Sequence, residues 1–171
     1  MNIHPIFLHF PIALFIIYSI LEFLPMSRVH FKLDWRQVKI GLLVLGVLSA
    51  FVALATGGMA EELLTDPEKL KIVEVHAGFA GASTVIFSIL AFFYMVGWAD
   101  ETYGGIKRPH YLAVIWRIFE KLKRIIIDTK LRYVLVFAGF ITIFIAGSLG
   151  GAMVYGPDAD PFVSIIYHLF F

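Results

Sequence analysis

Residues 4–24 read His-Pro-Ile-Phe-Leu-His-Phe-Pro-Ile-Ala-Leu-Phe-Ile-Ile-Tyr-Ser-Ile-Leu-Glu-Phe-Leu, a stretch without a carboxylate, Lys or Arg until Glu22. It is long enough to cross a hydrocarbon core as a helix, which takes about 20 residues. Pro5 suits the first helical turn, with His4 near the cap. Pro11 falls inside the helix and frees the carbonyl of Phe7. A helix starting only at Pro11 would be too short to cross, so the reading is a kinked helix from about Pro5, closed by Leu24-Pro25. Two imidazoles at the head of such a span are costly unless they face the protein interior and find partners there.

The rest of the chain repeats the pattern. Of its 171 residues, 60% are hydrophobic and 16% charged, against about a quarter charged in a soluble domain. Spans are expected over about 5–24, 37–57, 70–98 and 132–155. The fold class is therefore an all-α integral membrane protein, a single membrane domain over 1–171 built as an up-down bundle of four transmembrane helices. A fifth, amphipathic helix over about 111–128 places Leu112, Ile115, Trp116, Phe119, Leu122 and Ile126 on one side. Arg117, Glu120, Lys121 and Arg124 lie on another, as in a helix resting on anionic lipid, with docking of a soluble partner as the alternative. The tail from Pro161 to Phe171 is too short to span and belongs at the outer interface or against a neighbouring subunit.

Charge sorts by connection. Arg28, Lys32 and Arg36, with Lys39, follow span one. Lys107, Arg108, Arg117, Lys121, Lys123, Arg124, Lys130 and Arg132 follow span three. Glu61, Glu62, Asp66, Glu68 and Glu74 dominate the connection between spans two and three. The positive-inside rule puts the two basic connections in the cytoplasm and both termini outside, in an inner (cytoplasmic) membrane. Met1–Ile3 lacks Lys and Arg, so no signal-peptide n-region is expected and the first span should be retained. A net charge of +1, segregated in this way, gives no reason to expect nucleic acid as a partner.

Cysteine is absent, which excludes disulfides, thiolate-ligated clusters and covalent c-type haem. Of the six histidines, His30 and His110 fall in cytoplasmic loops, where solvation explains them. His9 lies a turn into span one, and His76 about as far inside span three, both from the outer side. Two imidazoles at one depth on separate helices suit the axial ligation of a b-type haem. His4, five residues before His9, points about 140° away on an ideal helix. It would be a cap, or half of a second pair with His168, allowing one haem or two. The small residues Gly46, Ala50, Ala53 and Gly57, the pairs Gly78/Ala82 and Ala77/Gly81, and the pair Gly147/Gly151 mark close helix approaches. They could also leave room for a flat cofactor. Glu22 and Glu74 sit at span edges, where solvated faces are expected rather than proton chemistry. Asp66-Pro67-Glu68 should open the helix of span three.

The set His4-Pro5, His9-Phe10-Pro11-Ile12-Ala13-Leu14, Thr56-Gly57, His76, and Gly150-Gly151 with Val154-Tyr155-Gly156 resembles a bacterial family of small four-helix membrane proteins, domain of unknown function 2231. The resemblance covers nearly the whole chain and implies His4, His9 and His76 as functional positions. Members fused to Rieske or c-type cytochrome domains imply redox company. The basic insertion over Gly105–Lys130 is longer than the family usually carries.

The function expected is a haem b subunit that moves electrons between the quinone pool and an extracytoplasmic cytochrome c or iron–sulfur protein. It would work within a larger complex rather than as a stand-alone enzyme, with a quinone site compatible. The alternative is a non-redox structural or assembly subunit whose outer histidines bind copper or zinc. A transporter is disfavoured, because paired broken helices and midplane charges are missing.

Overall fold

The structure, a computed structural model, describes residues 4–24, 33–103 and 109–171, with Pro5 and His110 described in their backbone only. Met1–Ile3, Pro25, Arg28, His30, Lys32, Gly105, Lys107 and Arg108 lie outside the described residues. Among the described residues six helices follow one another: α1 (His4–Phe23), α2 (Trp35–Glu61), α3 (Pro67–Tyr103), α4 (His110–Ile126), α5 (Leu131–Tyr155) and α6 (Pro161–Phe170). Four of them, α1, α2, α3 and α5, are long and apolar enough to cross a membrane. The chain is a multi-pass, all-α membrane protein. Around the bundle, α1 packs on α2, α2 on α3, α3 on α5 and α5 back on α1.

Helix ends are set by caps rather than by the edges of the apolar runs. The Asp34 carboxylate accepts from the backbone N–H groups of Arg36 and Gln37, starting α2. Asp66 accepts from the Glu68 N–H with Pro67 at the first helical position, as expected for α3. A carboxylate at this position satisfies N–H groups that the helix itself cannot. α3 therefore runs for 37 residues, about 55 Å at 1.5 Å per residue, against a hydrocarbon core of about 30 Å. It and α2 project past the start of α1. α1 itself continues through Pro11 without a break.

The bundle centre is aromatic. Phe15 and Phe87 are fully buried and stacked, ring centroids 4.1 Å apart. Gly46 makes this possible, because a Cβ there would meet Phe15 Cε1 at 2.6 Å. With Ala50 and Ala53 also buried, the small face of α2 is the close-approach surface its spacing implies. The pairs on α3 behave differently: a Cβ on Gly78 or Gly81 would meet nothing within 4 Å. Those two glycines are not helix-packing positions among the described residues. The tail folds back on its own chain as α6, capped by Asp160, with Val163 buried against Gly151 and Phe170 edge-on to Phe79.

Candidate functional site

Each of the four spanning helices sends one element to a single point near the α2–α3 turn. His4 comes from the first turn of α1, Thr56 from α2, His76 from α3, and the Ala146 carbonyl with Gly150 from α5. The rings of His4 and His76 stand edge-on, centroids 6.5 Å apart and planes at 87°. His76 Nδ1–H donates to the Ala146 carbonyl at 2.8 Å. A carbonyl can only accept, so this bond fixes the tautomer and leaves His76 Nε2 unprotonated when the ring is neutral.

The same logic holds for His4. Thr56 Oγ1 lies 3.2 Å from His4 Nδ1, and the Thr56 hydroxyl proton is directed at its own helix, to the carbonyls of Val52 (3.0 Å) and Ala53 (3.1 Å). Thr56 Oγ1 is then the acceptor and His4 Nδ1–H the donor. The Ala53 backbone is a further hydrogen-bond partner of the ring. His76 thus carries the tautomer with Nε2 as the lone-pair nitrogen, and the Thr56 contact favours the same tautomer for His4. An Nδ1–H held by a second group is how proteins orient a histidine that binds a metal.

Glycine makes room for both rings. A Cβ on Gly57 would come within 3.2 Å of His4 Cε1, and one on Gly150 within 3.3 Å of His76 Cε1. Beside the rings lies a cavity of about 710 Å³, walled mainly by apolar side chains such as Leu8, Ile12, Phe15, Ile143 and Val163. That is within the range of roughly 300–1,000 Å³ for small-molecule and cofactor sites.

The pairing differs from the one expected. His9 lines the same cavity but is exposed, and it is His4 that faces His76. The physical reason is the projection of α3 beyond α1. His76 is nine residues into α3, roughly 14 Å from its start, and so is level with the first turn of α1 rather than the second. His168 does not join His4 either. It is exposed on α6, its Nε2 3.5 Å from Asp158 Oδ1. Thr56 stands out in the sequence only beside Gly57 in the motif that carries the resemblance; its hydrogen bond to His4 follows from the α1–α2 contact, which no local spacing encodes.

A second convergence at the opposite end corrects the expectation of a solvated Glu22. The Glu22 side chain is 1% exposed and forms ion pairs with Lys39 Nζ at 3.1 Å and Arg132 Nε at 2.8 Å. Tyr94 OH donates to its Oε2 at 2.9 Å. Again each spanning helix contributes one residue. Beside it, Arg36 pairs with Glu101. Among the described residues, no group of three or more His, Cys, Asp or Glu side chains is placed to hold a metal ion.

A family model described as "Predicted membrane protein (DUF2231)" matches residues 1–158. Neither the curated proteins nor the solved structures return a match.

Proposed function

Because the chain belongs to the domain of unknown function 2231 family of membrane proteins, whose description specifies no activity, we propose a function from the site itself: a b-type haem-binding subunit for electron transfer. The observation that carries this reading is the edge-on pair of His4 and His76, from two helices, at 6.5 Å. Rings this close on separate helices would let one metal ion take a nitrogen from each. Two imidazoles presented by separate helices suit an iron whose other four ligands come from a porphyrin. The glycines at 57 and 150 seat the two rings, and the mainly apolar cavity that the rings line agrees with a hydrophobic group bound there.

When bound, haem would supply one-electron oxidation and reduction. The chain's own part is to hold and insulate. Thr56 and Ala146 fix the two ring orientations, and the mainly apolar wall lowers the polarity around them. With Arg36, Lys39 and Arg132 at the far end and Glu61, Glu62 and Glu74 at the histidine end, the positive-inside rule would set the site on the extracytoplasmic side of an inner membrane. There the subunit would pass electrons between membrane quinone and a cytochrome c or iron–sulfur partner, inside a larger complex.

The test is pyridine haemochrome quantitation together with metal analysis of the purified protein. Haem b near one equivalent per chain is expected. Stoichiometric copper or zinc without haem would replace this reading with a non-redox metal site on the same two histidines.

A further inference from the structure

The structure divides α4 into three faces where the sequence shows two. Its packed face is held by Trp116, whose Nε1 donates to Asp100 Oδ1 at 3.1 Å, by Phe119, edge-on to Phe92 of α3, and by Ile126 against the core. A second apolar face is left uncovered by the chain: Tyr111, Ile115, Ile118, Leu122 and Ile125, with Ile118 55% exposed. At 100° per residue these side chains fall within about 80° of arc. Arg117, Lys121 and Arg124 form a strip along one edge of that face, and Glu120 is the only carboxylate on the helix.

We infer that α4 docks on the anionic phospholipid surface of the membrane that the bundle spans, inserting this second apolar face among the lipids. The charge strip is complementary to such a surface, and each basic side chain near an anionic leaflet is attracted to it. The two helices that flank α4, α3 and α5, are spanning helices, joined to it by connections of only a few residues. α4 is thereby confined to the bilayer surface. Its Phe119 already packs on Phe92, which is itself 46% exposed on the outside of the bundle, so the apolar surface of α4 continues that of a membrane span. Apolar residues on one face with cations at its edge are the arrangement of a helix lying in the interface plane.

Because the chain has no cysteine, Ile118→Cys, Leu122→Cys and Lys121→Cys each introduce a single site for a spin label. The full-length protein is reconstituted in phosphatidylcholine vesicles with and without phosphatidylglycerol. Labels at 118 and 122 should be more accessible to oxygen than to a water-soluble nickel chelate, and the label at 121 the reverse. Phosphatidylglycerol should drive 118 and 122 deeper, and Arg117→Gln, Lys121→Gln and Arg124→Gln together, in the Ile118→Cys chain, should abolish that response. Labels at 118 and 122 that stay in water in both vesicles would overturn the proposal, as would spin–spin broadening from a second copy. Depths indifferent to phosphatidylglycerol would overturn the assignment to anionic lipid.

Discussion

The imidazole of His4, in the first turn of α1, stands edge-on to that of His76 on α3, centroids 6.5 Å apart and planes at 87°. Each ring is tethered through Nδ1, one to Thr56 and the other to the Ala146 carbonyl. The pair, the tethers and the glycines beside them make separable predictions.

Thr56→Val keeps the shape of the side chain and removes the hydroxyl that accepts from His4 Nδ1–H. Loss of such an orienting partner lowers metal affinity by roughly 10–100-fold. The same drop is expected for haem affinity in titrations of the apoprotein, with Thr56→Ser restoring it. Equal affinity in Thr56→Val would show that the tether does not orient the ligand.

Gly57→Leu puts branched carbon where His4 Cε1 lies 3.2 Å from the glycine's would-be Cβ, whereas nothing lies within 4 Å at Gly41, which is away from the cavity. The expected result is at least a tenfold fall in bound haem for Gly57→Leu, with Gly41→Leu close to wild type. Absorbance per chain in purified protein measures both. Both variants lie on α2, so a general effect on membrane insertion would lower them together.

Glu22→Ala leaves Lys39 and Arg132 without their buried anion. Breaking a buried pair by removing one partner costs about 3–5 kcal/mol. The low end, about 3 kcal/mol, is expected, because Lys39 and Arg132 keep 18% and 24% of their side-chain surface exposed and can turn toward water. Thermal unfolding in detergent should show a lowered midpoint. Arg36→Ala, which breaks only the exposed pair with Glu101, should leave the midpoint where it was.

How far these features could be read in the sequence depends on whether they are local. Four apolar runs of the right length define the spans, because the bilayer thickness acts on each helix separately. The caps at Asp34 and Asp66 are equally local. The rotation between His4 and His9 also follows from helix geometry: the two cannot meet the same ring. Which one meets His76 depends on the relative heights of α1 and α3, and height is set by the Asp66 cap and by packing against α2. Glu22 shows the same limit. Its position at the end of a span suggests solvent, yet Lys39, Tyr94 and Arg132 meet it there from three other helices. Single-sequence spacing carries no record of such a convergence. Gly46 and Gly57 lay between these cases, legible as a small face but not as the seats of Phe15 and His4.

The central claim is that His4 and His76 would together hold the haem iron. Reduced-minus-oxidised optical spectra of the purified wild-type chain beside His4→Ala, His76→Ala and His9→Ala test it most directly. The account predicts a sharp α-band in the wild type, retained in His9→Ala and lost or shifted in both of the others. A wild-type spectrum without that band, or a band that disappears with His9 and survives the loss of His4, would contradict it.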